Sequence, residues 1–195
     1  MIDFLLNLDY QVFTWINLNG SFTFGDQLFP MITDLHKDHL FAYIAIPVLL
    51  TVFVRKYKRQ GLSLFLFLAL ALTWGDIFGG QVKNYFKRQR PFENSAIISI
   101  QKSPAGSKSF YSNHASNMFT FASYMSAFFP PARAPLYGVA TLISYSRVYN
   151  GVHYPSDVLA GGLFGWLWGF LFSFLAKKIL SLVQRKQTEP QDNHT

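Results

Sequence analysis

Long apolar segments dominate this chain and limit the folds that are open to it. Three of them, at residues 38–54, 62–82 and 156–177, carry few charges and have the length of about 20 residues that a membrane-spanning helix needs. Two weaker segments lie at 112–130 and 134–149, and their polar residues are acceptable where they face the interior of a helix bundle. Only 14% of the residues are charged, against about a quarter in soluble domains. The sequence therefore predicts a membrane protein.

The N-terminal residues follow a different pattern. Apolar residues recur at helical spacing over 5–16, but two aspartates interrupt them. We predict an amphipathic interfacial helix there, followed by a short or partial span at 22–35. The expected fold is an all-α integral membrane protein, with five to six transmembrane helices in a bundle and this N-terminal interfacial helix. We expect a single membrane-embedded domain over 1–186 and a disordered polar tail at 187–195.

The distribution of charge bears on both partners and orientation. The net charge of +7 lies in short clusters between apolar segments, which disfavours nucleic acid and suits contact with membrane lipids. The basic cluster 55–59 occupies a short loop, so the positive-inside rule places it in the cytoplasm. Four predicted spans separate it from the basic residues of 177–186. The loops 83–111 and 148–155 then face the opposite side, although the first of them is itself basic.

One polar stretch between two apolar segments suggests phosphate chemistry. Arg147 stands six residues before His153, and Asp157 stands four residues after it. Arginine is a permanently charged fork that suits phosphate oxygens, and histidine is suited to nucleophilic or acid–base work near neutral pH. An aspartate one helical turn away can hold that histidine in one tautomer. Taken alone, the aspartate also fits an ordinary helix N-cap.

Two further clusters end spans on the same side of the predicted membrane. Lys83 and Arg90 form the first, and taken alone they also fit a basic segment that binds anionic headgroups. Ser112, Asn113 and His114 form the second, just before a helical run, where an N-cap and free backbone N–H groups make an anion site. Together with the Arg147 stretch, these clusters predict a phosphate site at one membrane face.

The motifs resemble those of the type 2 phosphatidic acid phosphatases, membrane lipid phosphatases that share a superfamily with vanadium haloperoxidases and bacterial acid phosphatases. The family pattern K-x6-R-P matches at 83–91, and S-R-x5-H-x3-D matches at 146–157. The pattern P-S-G-H matches in part at 111–114, where Tyr111 and Asn113 replace proline and glycine. The resemblance covers the C-terminal two-thirds of the chain.

The resemblance implies a metal-independent reaction without a cofactor. In it, His153 attacks phosphorus to form a phosphohistidine, Asp157 stabilises the charged imidazole, and His114 serves as proton donor and then as base. The implied phosphate-binding residues are Lys83, Arg90, Ser112, Asn113 and Arg147.

The departures from the family pattern carry their own expectations. Asparagine tolerates a positive φ, so Asn113 is expected to keep the turn that glycine makes, and its amide is a candidate for binding phosphate. The phenol of Tyr111 is expected to face the lipid headgroup. Asp76 lies in a predicted span, where we expect it to pair with Lys83 or to cap a glycine-rich kink.

The expected activity is that of a lipid phosphatase at the outer face of a bacterial-type inner membrane. Candidate substrates are undecaprenyl diphosphate, phosphatidylglycerol phosphate, phosphatidic acid and the 1-phosphate of lipid A. A phosphotransferase that passes the phosphoryl group to another lipid uses the same residues. A non-catalytic binder or transporter of lipid phosphates is the third alternative.

Overall fold

The computed structural model describes residues 2–34, 39–106 and 108–188, and within these ranges the chain forms seven α-helices. They are α1 (Ile2–Thr14), α2 (Thr23–Asp34), α3 (His39–Tyr57), α4 (Gln60–Phe86), α5 (Asn113–Phe128), α6 (Arg133–Tyr149) and α7 (Pro155–Thr188). A π-helical turn (Trp15–Asn19) follows α1, and 3₁₀ turns cover Pro91–Glu93 and Pro130–Ala132. The predicted all-α fold is confirmed.

Two of the described helices are long and apolar enough to cross a membrane, namely α4 with its extension to Glu93 and α7. Both present large apolar side chains to their surroundings, among them Leu66 and Leu70 of α4 and Phe170 of α7. Such exposed apolar surface suits contact with lipid acyl chains. The number of five to six spans stays a prediction.

Helices α5 and α7 form the centre of the bundle because small residues let their backbones approach. Gly161, Gly165 and Gly169 recur every fourth residue along the face of α7 that meets α5. A Cβ at Gly165 would lie 2.1 Å from the carbonyl oxygen of Ser116, a distance that no side chain tolerates. This close contact sets the position of the N-terminus of α5 against the N-terminus of α7.

The N-terminal helix turns its polar residue inward and its apolar residues outward. Asp9 and Phe13 are buried, whereas Leu5 and Leu8 are exposed. Phe13 packs edge-on against Tyr154, with 5.6 Å between ring centroids. This region is therefore helical, and one side of the helix rests on the start of α7. Its interfacial placement stays a prediction. The predicted partial span at 22–35 corresponds to α2, a helix of 12 residues.

Most of the predicted boundaries agree with the structure. Ser112 is the N-cap of α5, and its Oγ accepts a hydrogen bond from the Ala115 N–H at 3.4 Å. Helix α7 begins at Pro155, where proline is favoured because its missing N–H is not needed. It continues to Thr188, two residues into the predicted tail, and 189–195 lie outside the described residues.

The basic residues of the loop between α4 and α5 make internal contacts. The Lys102 ammonium lies 2.8 Å from Asp26 Oδ1 and over the ring of Tyr149, with 3.9 Å to its centroid. Arg90 is buried. Two of the basic residues of this loop are therefore held within the protein, whereas Lys87 is exposed, and the orientation stays a prediction.

Candidate active site

A cavity of about 260 Å³ lies where α4 ends, α5 begins and α6 gives way to α7. It is lined by six residues that the sequence motifs predicted: Lys83, Arg90, Asn113, His114, Arg147 and His153. Three of these side chains are cations, two are histidines and one is an amide. The structure thus brings the three sequence clusters together at one end of the bundle.

Behind the cavity wall, Asp157 holds one nitrogen of His153. The carboxylate oxygen Oδ2 lies 3.3 Å from His153 Nδ1. On the other side of the ring, Arg90 Nη1 lies 3.2 Å from Nε2. Arginine can only donate hydrogen bonds, so Nε2 accepts and the ring proton sits on Nδ1. The nitrogen that carries the lone pair therefore faces Arg90.

The imidazole of His153 is kept neutral by its surroundings. Burial lowers the pKa of His153 to about 3, and the nearby charges of Arg90 and Arg147 act in the same direction. The hydrogen bond to Asp157 opposes this shift. A neutral imidazole with a free lone pair is the form of histidine that acts as a nucleophile.

The turn between α6 and α7 fixes His153 through a glycine. Gly151 has a φ of +72°, the left-handed conformation that glycine adopts readily. A Cβ there would also lie 2.3 Å from the carbonyl oxygen of Ile100, because the preceding loop crosses directly over the turn. The Asn17 side chain joins this loop to the end of α6, because its amide donates to the carbonyl oxygens of Ile100 at 2.9 Å and of Tyr149 at 2.8 Å.

Arginine side chains approach the cavity from two elements. Arg90 Nη1 donates to the carbonyl of Val152 at 2.6 Å, and its buried Nε has no hydrogen-bond partner among the described residues. Arg147 is 2% exposed and comes from the last turn of α6. The buried guanidinium of Arg90 at the cavity, with its Nε unpartnered within the described part of the chain, suits an anion.

The start of α5 supplies His114 and a link to the neighbouring helix. His114 lies in the first turn of α5 and lines the cavity, as predicted. The Ser112 N–H donates to the Asp157 carbonyl at 3.0 Å and so ties the starts of α5 and α7 together. Ser112 is buried as the N-cap, and its contribution to a phosphate site would come through the adjacent backbone.

The expectations for Asn113 and Asp76 need correction. Asn113 is the first residue of α5 and adopts the helical conformation rather than a positive φ. Its side-chain oxygen accepts from the Lys83 ammonium at 2.7 Å, and its amide nitrogen donates to Asp76 at 3.1 Å. Asp76 also accepts from Asn117 at 3.0 Å. Asn113 thus stands between Asp76 and Lys83, for which direct pairing was one of the two expectations, and its amide hydrogen-bonds to both.

Tyr111 does not face a lipid headgroup, contrary to expectation. Its side chain is fully buried, stacked on Phe164 with 5.2 Å between ring centroids. Its hydroxyl donates to the carbonyl of Gly75 at 3.4 Å, and its own carbonyl accepts from Lys83. A large aromatic residue therefore replaces proline as the packing support of this segment.

Two polar residues beside the site were not predicted. The Ser109 hydroxyl donates to Asp157 Oδ2 and lies 3.5 Å from His153 Nδ1. The Arg88 guanidinium donates to Asp157 Oδ1 at 2.8 Å. Both stand close to predicted motif residues in sequence, and the charge of Arg88 was visible, but only the fold shows that they reach Asp157.

Comparison with known proteins agrees with this geometry. The family model of the PAP2 superfamily matches residues 60–180, which contain every side chain that lines the cavity. The chain is 27% identical to a lipid A 4'-phosphatase of Bacteroides thetaiotaomicron, over 97% of this chain and 86% of that protein. It is 28% identical to an undecaprenyl-diphosphatase of Sulfolobus acidocaldarius, over 94% of this chain and 84% of that protein.

Solved structures show the same fold. The crystal structure of Aquifex aeolicus LpxE superposes with a TM-score of 0.68 at 26% identity, covering 85% of this chain and 94% of that chain. A transmembrane PAP2-type phosphatidylglycerolphosphate phosphatase from Bacillus subtilis superposes with a TM-score of 0.71 at 22% identity, covering 90% of this chain and 87% of that chain. Since the family model spans more than half of the chain, this protein belongs to the PAP2 superfamily and is a membrane phosphatase.

Proposed function

We propose that this protein hydrolyses a phosphate monoester or diphosphate of a membrane lipid, without a metal ion, through a phosphohistidine on His153. The observation that carries the proposal is the arrangement around His153. Its Nδ1 faces Asp157 at 3.3 Å, while its Nε2 lies beside Arg90 at a cavity that Lys83 and Arg147 also line. This is a neutral nucleophile surrounded by phosphate-binding cations.

In the first step, Nε2 of His153 attacks phosphorus and displaces the lipid-side oxygen. The N–P bond forms as the P–O bond breaks, and the leaving oxygen takes a proton from His114. The Nδ1–H of the imidazole stays with Asp157, whose negative charge stabilises the positive ring. Lys83, Arg90 and Arg147 balance the charge on the phosphoryl oxygens.

In the second step, water attacks the phosphohistidine. His114, left unprotonated by the first step, accepts a proton from the water as the O–P bond forms and the N–P bond breaks. Inorganic phosphate leaves, and His153 returns to its neutral form with the proton still on Nδ1. Each histidine thus ends the cycle in its starting state.

We propose a lipid substrate because the cavity lies at the ends of membrane helices and because the relatives are named for lipid phosphates. Undecaprenyl diphosphate and lipid A fit the names of the relatives, and phosphatidylglycerol phosphate fits the name of a structural neighbour. Phosphatidic acid carries the same kind of phosphate group. The proposed location is a bacterial-type inner membrane with the cavity facing the periplasm and five to six spans.

A substrate panel with the purified protein in detergent micelles tests the proposal. We expect release of inorganic phosphate in EDTA from at least one of undecaprenyl diphosphate, phosphatidylglycerol phosphate, phosphatidate and lipid A. The His153→Ala variant should lose this activity. His39→Ala removes a histidine outside the three motifs and should keep it. Undiminished turnover by His153→Ala would rule out the mechanism.

Trapping the intermediate separates the alternatives. Acid quenching destroys a phosphohistidine, so the quench is made in alkali with a substrate labelled in its terminal phosphate. We expect protein-bound label on His153 in the wild type. The His153→Ala variant should carry no label above background. Transfer of label to an added lipid instead of water would favour the phosphotransferase, and a protein that binds lipid phosphate but never becomes labelled would favour the binder.

A further inference from the structure

Arg88 connects the Asp157 carboxylate to the N-terminal helix. It lies just after α4, and its two terminal nitrogens bind different carboxylates. Nη1 donates to Asp157 Oδ1 at 2.8 Å and to Ser156 Oγ at 2.7 Å, whereas Nη2 donates to Asp9 Oδ2 at 2.6 Å. The guanidinium carbon also stacks 3.9 Å from the ring centroid of Tyr154. Planar guanidinium groups make such forked contacts with fixed geometry.

The two oxygens of Asp157 have separate partners. Oδ2 lies near His153 Nδ1 and accepts from Ser109 and from the Tyr154 N–H at 2.9 Å. Oδ1 is the oxygen that Arg88 binds. Arg88 therefore fixes the rotation of the carboxylate from the side that His153 does not use, and it does so without competing for the oxygen that meets the imidazole.

Asp9 gives Arg88 a second negative partner. One oxygen of Asp9 accepts from the Ser156 N–H at 2.8 Å, and the other accepts from Ser156 Oγ at 2.6 Å as well as from Arg88. Asp9 is 8% exposed. Two carboxylates thus share the one positive charge of Arg88. Because Arg88 also pairs with Asp9, it compensates less of the negative charge of Asp157, and Asp157 can stabilise a positive imidazole more strongly.

We propose that Arg88 is a positioning residue of the active site, and that Asp9 of the N-terminal helix sets how strongly Arg88 acts on Asp157. The proposal rests on the proposed function only in that His153 must be the nucleophile for the effect to reach catalysis. Neither Asp9 nor Arg88 lines the cavity. They act through Asp157, and through it on the charge that His153 carries.

Besides burial, the charges of Asp157, Arg90 and Arg147 act directly on the pKa of His153. The charged and titratable groups of the site come from every element around it. These are Lys83 and Asp76 from α4, Arg88, Arg90 and Glu93 from the loop, His114 from α5, Arg147 from α6 and Asp157 from α7. Of these groups, Arg88 and Asp157 lie on the Nδ1 side of the ring. Removing Arg88 should therefore strengthen the hold of Asp157 on a protonated imidazole, while the cations of the cavity stay in place.

The test uses full-length protein and reads the titration of His153 directly. Histidine ring ¹⁵N spectra are recorded from about pH 1.5 to pH 8, a range that includes both sides of a midpoint near 3, with His153 assigned from the His153→Ala spectrum. In Arg88→Met the His153 midpoint should rise by about one pH unit, and kcat should fall about 10- to 100-fold with KM changed less than about threefold. In Asp9→Asn, which keeps the shape but not the charge, Arg88 acts more strongly on Asp157, so the midpoint should fall, and an unchanged midpoint would overturn the role of Asp9.

Control variants keep the outcome decisive. Lys87→Met removes an exposed cation from the adjacent position and should leave both the titration and kcat as in wild type. Arg88→Lys keeps the charge but can reach only one carboxylate, so its kcat should lie between those of Arg88→Met and wild type. If Arg88→Met does not fold, the Asp9→Asn/Arg88→Met variant removes both buried charges and takes its place.

The proposal is overturned if the titration midpoint of His153 in Arg88→Met is the same as in the wild-type protein. The same holds for the double variant where that variant takes its place. A wild-type kcat in Arg88→Lys together with Arg88→Met overturns it as well. If the wild-type protein releases no phosphate from any lipid, the proposed function fails, but the titrations still decide whether Arg88 acts on His153 through Asp157.

Discussion

Gly79 leaves the space that the side chain of Asn113 occupies. A Cβ on Gly79 would lie 2.5 Å from Asn113 Oδ1, the atom that accepts from the Lys83 ammonium at 2.7 Å. The glycine of α4 and the asparagine of α5 therefore depend on each other. Where the family pattern has glycine at the start of α5, this chain has an amide that holds Lys83, a proposed phosphate-binding residue, in place.

Gly79→Ala should displace the Asn113 amide and release Lys83 from its position. Because shifts of about 1 Å in a positioning group can cost up to 100-fold in rate, we expect kcat/KM to fall about 10- to 100-fold. The measurement is steady-state phosphate release in micelles from the best substrate of the panel.

The control for this substitution lies next to it in sequence. An added Cβ on Gly80 would meet no atom within 4 Å among the described residues, so Gly80→Ala should keep wild-type kcat/KM. The Gly79→Ala/Asn113→Gly double variant should lose no more than either single variant, because both changes remove the same contact between Asn113 and Lys83. Additive losses in the double variant would contradict the steric dependence.

The motif residues of the cavity were predictable from sequence, whereas the distant residues that hold them in position were not. Spacing within short segments places Lys83 near Arg90 and His153 near Asp157, because each pair lies on one helix end or one turn. Asp9 meets Ser156 across 147 positions of sequence. No local pattern reports such a contact, and an aspartate in an amphipathic helix is ordinarily a solvent-facing residue.

The roles of Tyr111 and Asn113 also could not be predicted from the sequence alone. A tyrosine near a membrane face and an asparagine in place of glycine both have common roles, at the interface and in a left-handed turn. Here Tyr111 stacks on Phe164 instead, and the Asn113 side chain occupies the space left by Gly79. Both deciding residues lie on other helices, so they become visible only when the helices are packed.

The titration of His153 should make the folded protein less stable in acid. Burial lowers the pKa of His153 to about 3, while an unfolded histidine titrates near pH 6.5. The unfolded chain therefore binds more protons between these values, and stability falls as the pH drops below about 6.5. At pH 5 the expected loss in free energy of unfolding is about 2 kcal/mol.

Unfolding midpoints of wild type and His153→Gln at pH 7 and pH 5 measure this contribution. The wild-type midpoint should drop more steeply with acid than that of His153→Gln, which lacks the titrating ring. Parallel curves would show that His153 binds protons equally in the folded and unfolded states. Carboxylates other than Asp157, which contacts His153 directly, contribute to both proteins alike and cancel in the comparison.

Close packing of α7 on α5 should be sensitive to a single methyl group. A Cβ at Gly165 would lie 2.1 Å from the Ser116 carbonyl, so Gly165→Ala must push the two helices apart. Overpacking of this kind costs about 1 to 3 kcal/mol, and it also moves His114 relative to His153. We expect a lower unfolding midpoint and a lower kcat.

The matched control for Gly165 is another helical glycine. Gly138 in α6 has open space around an added Cβ, with no described atom within 4 Å, so Gly138→Ala should be neutral or slightly stabilising. Thermal unfolding in the same detergent compares the two variants. Equal midpoints for Gly165→Ala and Gly138→Ala would contradict the close contact.

Labelling of single cysteines should reveal the side of the membrane on which the cavity lies. The natural chain has no cysteine, so each introduced thiol is the only one present. Ser95 is exposed on the loop that connects α4 to α5 and contains Arg90, a residue that lines the cavity. Ser95→Cys should react with a membrane-impermeant maleimide in intact spheroplasts, because the positive-inside rule places this loop outside.

The opposite end of the bundle supplies the control for this labelling. Arg59 is exposed in the short basic turn between α3 and α4, and Arg59→Cys should react only after the membrane is permeabilised. The reverse pattern would place the cavity in the cytoplasm, where it would meet lipid phosphates of the inner leaflet. Because the labelled positions lie at the two ends of α4, their reactivity also tests whether this helix crosses the bilayer.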